Sequence, residues 1–513
     1  MSVNAPGVEP PELSFTDRVS RGAIWAGGST LFLRFANIAI MAVVARIVAP
    51  NELGIFALTL VVHGVVVSLA ELGVSSSIAR SDLQTDRIAP TVATISIVSS
   101  LFLASVLAIF AEPIAIALGS AEATGPIRIM SLCVAMIGPF AVPGAQLQRE
   151  FRQDLVFRAN AISFVPSSIV LVVVALLGDG ATAFAWSRVV GQLIMGTLMT
   201  LSVTKRYRPG LKWELVGPLI RFGLPLAFAN LMSQILLNVD YVFVGRFLNI
   251  ADVGFYNLAF NVSVWSTAVI GSMLNGIVLP AFSKVRADGG DLPNALRGAV
   301  RSVSLIAFPI AAVTLALASP LIVTIYGKKW ESAAPVLGVL ALYGAISVIC
   351  LLLSNVIVST GRTGVLFGVQ VIALVCLVPV MWIGVTVGGL VGVGVAHIVV
   401  ILIATFPLYL LAIRRSVGTG PMLIFRAMAW PVVASALSGL AGWALSLALP
   451  NAPLKLLVGG ALAGLVYLFL TAPLLRSLVP ASIVKLRAVR SVLEFASRPG
   501  DRLIQHRSTR GQQ

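Results

Sequence analysis

Apolar runs of roughly 20 residues, the length that crosses a bilayer's hydrocarbon core, follow one another along nearly the whole chain. Their limits read 24–46, 53–73, 89–111, 125–146, 157–178, 181–203, 215–243, 252–280, 298–319, 333–359, 364–386, 389–412, 424–449 and 454–475. That is about fourteen spans. Charged residues are only 11% of 513, and the mean hydropathy is +0.98, far from the composition of a soluble globular domain. The pattern predicts an all-α integral membrane protein.

A second constraint is internal duplication. The stretch from Ala45 and Arg46 through Pro50 and Glu52 to Gly54, Ile55 and Phe56 matches the stretch from Gly245 and Arg246 through Ile250 and Asp252 to Gly254, Phe255 and Tyr256. Each copy leaves an apolar run, turns with a single acid, and enters the next run. Arg152 to Phe157 pairs likewise with Arg362 to Phe367, and Arg188-Val189-Val190 with His397-Ile398-Val399. Six spans therefore repeat as six. An even number of crossings gives both halves one orientation, and duplicated bundles of this kind usually hold a substrate between them. The expected organisation is a disordered cytoplasmic lead at 1–17, six-helix bundles at 18–210 and 211–415, two additional transmembrane helices at 416–478, and a basic cytoplasmic tail at 479–513.

The net charge of +16 could suggest nucleic acid, but its placement argues otherwise. Basic residues gather in alternate connections: Arg18 and Arg21, Arg80 and Arg87, Arg149 and Arg152, Lys205 to Lys212, Lys284 to Arg297, Arg362, Arg414 and Arg415, and the tail from Lys485. By the positive-inside rule both termini are cytoplasmic, as an even span count requires. The first twenty residues lack an apolar core, so no cleaved signal peptide is expected. In the tail, Ile483, Leu486, Val489 and Leu493 interleave with Lys485, Arg487 and Arg490, which fits either a basic helix on anionic headgroups or a plain disordered tail. Cys133, Cys350 and Cys376 lie in apolar runs without metal-site or disulfide spacing, and read as packing residues. There is no phosphate-binding GxxxxGK[ST] loop and no HExxH, so no cofactor, no metal site and no catalytic residue is expected.

Residues Arg221 to Leu226, Asn238-Val239-Asp240, Gly245 to Leu248, Gly254-Phe255-Tyr256 and Leu279 to Ser283 together resemble the polysaccharide-transporter family of the multidrug/oligosaccharidyl-lipid/polysaccharide exporter superfamily. The first half agrees at Ala45-Arg46, Pro50, Gly54 and Glu71-Leu72-Gly73, although Asp is commoner than Glu at position 71 in that pattern. Gly327 to Trp330 also fits. The resemblance spans roughly 15–480. It implies a flippase in the bacterial cytoplasmic membrane that moves polyprenyl-diphosphate-linked oligosaccharide repeat units from the inner to the outer leaflet for cell-surface or exopolysaccharide synthesis. It also implies the bilayer as a partner, with a glycan polymerase and export machinery as further candidates.

Ionisable groups inside spans are costly, about 2.5–3.5 kcal/mol on insertion scales, so each needs a cavity, partner or substrate. Thr30, Arg34 and Asn37 form one polar stripe on span one, where the guanidinium suits a diphosphate or an acid on a neighbouring helix. Arg188 on span six, with Gln192 one turn on, is a second such cation, again with a structural pair as the alternative. Asn257, Asn261, Ser272 and Asn275 make a stripe on span eight that fits sugar hydroxyls or ordinary helix packing. For coupling to Na+ or H+, Asp240, Glu71 and His63 are the candidates. Asp240 could equally neutralise an arginine, and His63 could be a satisfied interior group. A drug or cation antiporter of the same superfamily remains the nearest rival, though cationic cargo would favour carboxylates over arginines. A membrane glycan polymerase or ligase would be expected to carry a sizeable external loop.

Overall fold

The computed structural model describes residues 36–70, 85–150, 152–360 and 362–478. The expected lead at 1–17, the tail at 479–513, and the candidates Thr30, Arg34 and Glu71 lie outside the described residues. No strand occurs among the described residues. This is the outcome a bilayer imposes, because a helix satisfies every backbone N–H and C=O within its own segment.

By internal contact the chain divides into two compact units, Met1–Asn238 and Val239–Gln513. The first contains α1 (Ala36–Ile47), α2 (Pro50–Ala70), α3 (Thr85–Ile109), α4 (Ala111–Ala117), α5 (Thr124–Arg149), α6 (Gln153–Leu176), α7 (Gly180–Ser202) and most of α8 (Trp213–Phe247). The second holds the end of α8, then α9 (Ile250–Ala287), α10 (Leu292–Ala316), α11 (Ala318–Ile325), α12 (Ala334–Ser359), α13 (Thr363–Val400), α14 (Phe406–Val417), α15 (Pro421–Leu447) and α16 (Ala452–Leu478).

Ten helical stretches among the described residues are long and apolar enough to cross a membrane. One of them, Gly364–Val417, carries both spans eleven and twelve. Gly389, at φ 55, breaks it where the sequence separates the two. The return is tight: a Cβ on Gly392 would meet the Gly384 carbonyl oxygen at 1.9 Å. Helices α7 and α9 occupy spans six and eight. Val98, Leu101, Phe102 and Ile109 are exposed along α3, a surface suited to lipid rather than water.

The repeat is visible in helix lengths. α3 and α10 both have 25 residues, and α5 and α12 both have 26. Between them stand the short helices α4 and α11, each leading to a left-handed glycine, Gly119 at φ 95 and Gly327 at φ 103, and then a 3-10 turn. These short helices are absent from the sequence reading, which ran spans three and nine directly into loops. The α1–α2 and α8–α9 turns also match. Glu52 Oε2 accepts from the Ala49 N–H at 2.7 Å, and Asp252 Oδ2 from the Asn249 N–H at 3.5 Å.

In the first unit α5 crosses α3 so closely at Gly138 that a Cβ would lie 2.5 Å from the Ile97 Cα and from the Ser96 carbonyl oxygen. Small residues permit this approach where no hydrophobic force separates helix from lipid. In the second unit Leu296, Val300, Ile349, Leu353, Ile357 and Ile424 share one buried cluster. It ties α15, outside the repeat, onto α10 and α12.

Candidate functional site

The first unit carries an open cavity of about 640 Å³ lined from α1, α5, α6 and α7. Its wall includes Asn37, Gln148, Asn160, Ser163, Ser187, Arg188 and Gln192. Arg188 is exposed while Ala185 and Val189 beside it are buried. The surface it shows therefore belongs to the cavity. No acid pairs with Arg188 among the described residues.

The other polar groups are mostly committed to the fold. The Gln192 amide donates to the Cys133 carbonyl at 2.9 Å, Ser187 to the Ser167 carbonyl at 2.8 Å, and the Asn160 amide to the Val156 carbonyl at 3.1 Å. Gln192 thus supports α5 rather than Arg188. With its neighbours occupied, the guanidinium is left as the cavity's strong multiple donor. Such a group matches a phosphate or diphosphate.

His63 on α2 keeps a buried Nδ1 without a hydrogen-bond partner among the described residues. Glu71, the other coupling candidate that follows it in the chain, lies outside the described residues. Asn257 is buried and Asn261 exposed. The Asn261 amide donates to the Asn257 carbonyl at 2.8 Å and to the Asn257 side-chain oxygen, so this pair closes on itself along α9. The side chains of Ser272 and Asn275 lie outside the described residues.

A separate cluster sits inside the second unit. Asp240 is 2% exposed. Its Oδ1 accepts from the Tyr241 N–H at 3.0 Å, and its Oδ2 accepts from the Tyr256 hydroxyl at 2.6 Å. His397 Nε2 lies 3.3 Å from that hydroxyl oxygen and 3.6 Å from Oδ2. The hydroxyl has a single hydrogen, which it gives to the carboxylate. Its contact with His397 therefore requires the imidazole to donate from Nε2. Among the described residues Asp240 accordingly neighbours a histidine and two tyrosines rather than the arginine weighed from sequence. His397 and Tyr256 were missed as functional candidates. The signal was present in the repeat, which places His397 opposite Arg188. Among the described residues no three His, Cys, Asp or Glu side chains gather as a metal site.

Helices long enough to span, a cavity holding an arginine, and a buried titratable cluster define a multi-pass membrane protein. Its fold is shared by solved transporters. The lipid II flippase MurJ in an inward closed conformation aligns with a TM-score of 0.70 at 18% identity, covering 88% of this chain and 99% of that one. An inward-facing multidrug resistance MATE family transporter of the MOP superfamily aligns at 0.61 and 18%, covering 74% and 94%. The succinoglycan biosynthesis transport protein ExoT of Rhizobium meliloti (strain 1021) is 27% identical over 475 residues, 90% of this chain and 94% of that protein. The lipopolysaccharide biosynthesis protein WzxC of Escherichia coli (strain K12) is 23% identical over 415 residues, 79% and 83%. The family described as polysaccharide biosynthesis protein matches residues 43–335, and the chain belongs to that family.

Proposed function

We propose that this protein is a flippase, not an enzyme, and that it moves lipid-diphosphate-linked oligosaccharide units from the inner to the outer leaflet by alternating access. The observation that carries this reading is Arg188, a guanidinium without an acid partner among the described residues, on the wall of a cavity whose lining contains no carboxylate. A cation exporter would place negative charge there, so the arginine favours anionic cargo. The polyprenyl tail stays in the bilayer, since extracting it would lose about 0.8 kcal/mol per CH2. Arg34, three residues before Asn37 in the sequence, is a second candidate guanidinium for the same anion.

Coupling is assigned to the proton. Asp240 has one buried imidazole neighbour, His397, and a hydroxyl linking the two, which supports a proton over a metal ion as the coupling species. Both termini face the cytoplasm of a bacterial inner membrane. A glycan polymerase and export machinery receive the product.

The test is flipping of a lipid-diphosphate oligosaccharide by purified protein in proteoliposomes, with and without a proton gradient. Flipping by the parent and not by Arg188→Ala, at matched folded protein, is the expected result. Equal flipping by both would move the anion site away from this cavity. Orientation is checked separately by cysteine labelling, which should reach position 451 from outside and fail to reach position 210.

A further inference from the structure

Helices α10 and α15 run side by side from their N-terminal ends, joined through Leu296, Ile424 and Ala427 in one core cluster. Each carries an arginine five residues from its start, Arg297 after Leu292 and Arg426 after Pro421. Five residues of helix rise about 7.5 Å, so each guanidinium stem leaves its helix within the first two turns. Both line one cavity of about 310 Å³ together with Thr419, Gly420, Met422 and Leu423. That volume is at the small end of the roughly 300–1,000 Å³ of ligand pockets.

Among the described residues no carboxylate lines this cavity. Neither arginine has an acid partner among the described residues. α15 begins at Gly420 and Pro421 with no side-chain cap, so its positive end is open to the same space. Thr419 is 5% exposed, and its Oγ1 has no hydrogen-bond partner among the described residues. The chain reaches this point through Gly418 at φ 74, a left-handed turn that ends α14 and sets Thr419 against the cavity. Two cations, a helix N-terminus and a buried hydroxyl make a site for a phosphate group.

The apolar surroundings indicate where that phosphate comes from. Met422 is 60% exposed and Phe425 49% exposed on the same turns of α15. They offer acyl-chain contacts beside the arginines. We infer that this pocket, between α10 and α15, holds the phosphate headgroup of an anionic phospholipid of the surrounding membrane, fastening α15, which lies outside the repeat, to the second unit. Basic pockets between transmembrane helices bind such headgroups by this combination of charge and acyl contact.

The inference is independent of the flippase reading, and its test needs no transport assay. Full-length protein, delipidated in detergent, is titrated with phosphatidylglycerol, phosphatidylcholine or inorganic phosphate. Bound lipid is read by native mass spectrometry and thermal unfolding by loss of the monodisperse peak. Phosphatidylglycerol should bind at one saturable site and raise the unfolding temperature; phosphatidylcholine should not. Arg297→Gln and Arg426→Gln should each weaken binding about tenfold, as loss of a charge-assisted hydrogen bond does, and the double variant more. Thr419→Val, which keeps the shape, should weaken it less. Circular dichroism unchanged from the parent establishes that the variants fold. Equal binding of phosphatidylcholine, or undiminished phosphatidylglycerol binding by the folded double variant, would overturn the site. Displacement of the lipid by inorganic phosphate at equal concentration would overturn the lipid as its occupant.

Discussion

The two copies of the repeat place different chemistry on the same scaffold. At matching positions stand Arg188 in the first and His397 in the second. In the first, the residue two hundred positions before Tyr256 is Phe56, stacked on Phe184 with centroids 4.7 Å apart, and the place of Asp240 is taken by Ile40. With no acid or hydroxyl to receive it among the described residues, the cation at 188 faces a cavity of about 640 Å³. In the second, Asp240, Tyr256 and His397 close on one another, with Tyr343 against the histidine ring at 5.0 Å. The repeat supplies two similar frames, and different side chains at matching positions make one half an open basic cavity and the other a closed Asp-Tyr-His cluster.

This contrast predicts opposite costs for removing the charged groups. In the second copy, Asp240→Ala should give the largest effect. It strips the acceptor from Tyr256 and the Tyr241 N–H and leaves His397 unaccompanied, and breaking a buried pair from one side costs about 3–5 kcal/mol. A sharp fall in thermal unfolding temperature in detergent would show it. An unchanged unfolding temperature would mean that the cluster contributes nothing to the second unit and that the contrast with the first is superficial.

In the first copy, Arg188→Ala should leave stability intact, because no described acid is orphaned and a charge leaves the membrane interior. Its cost should fall on cargo. Loss of a hydrogen bond to a charged group is worth about 1.5–3 kcal/mol, or roughly a tenfold to hundredfold loss of affinity for a lipid diphosphate. Arg188→Lys, which keeps the charge without the planar fork, should sit between. Binding measured by lipid-diphosphate titration of each purified variant decides it. A variant with a lowered unfolding temperature but the parent's affinity would reverse the assignment.

Most of the fold could be read from the sequence, because a membrane restricts the backbone to few choices. Apolar runs fixed where helices lie, and the duplicated turn at Glu52 and Asp252 fixed their order. What escaped were features set by a single turn rather than by a run. α4 and α11 bend away at Phe110 and Leu317, where Glu112-Pro113 and Ser319-Pro320 mark the end of a span without announcing a further helix. The site was readable to the extent that charge is conspicuous in an apolar span: Arg188 and Asp240 stand out by cost alone. His397 and Tyr256 did not, since a neutral histidine and a tyrosine are ordinary interior residues until a carboxylate is placed against them. That juxtaposition joins residues 157 positions apart along the chain.

A milder exchange sharpens the comparison. Tyr256→Phe gives the second copy the residue of the first, Phe56, and keeps the ring that stacks on Phe260 at 5.9 Å. Only the hydroxyl that donates to Asp240 is lost. The expected cost is about 1.5–3 kcal/mol, below that of Asp240→Ala because the carboxylate retains the Tyr241 N–H and the nearby imidazole. If proton coupling runs through the cluster, the response of flipping to an imposed gradient should also weaken. A full gradient response in the variant would take Tyr256 out of the coupling route.

The smallest effect concerns the turn that both copies share. Asp252 and Asn249 cap reciprocally, with the Asn249 side chain accepting from the Asp252 N–H at 2.9 Å and Asp252 accepting weakly from the Asn249 N–H at 3.5 Å. Ala49 has no side-chain oxygen to return the bond. Glu52 instead uses one oxygen on the Ala49 N–H at 2.7 Å and extends the other to the Gly180 N–H at 2.8 Å, so one carboxylate caps the start of α2 and also receives the start of α7. Losing a cap costs about 0.5–2 kcal/mol. Glu52→Ala should lie at the upper end of that range because two donors are left open. Asp252→Ala should lie at the lower end, since Asn249 still caps α9. Thermal unfolding of the two variants side by side measures the difference. Equal losses would mean that the Gly180 contact adds nothing, and that the two turns are equivalent in energy as well as in shape.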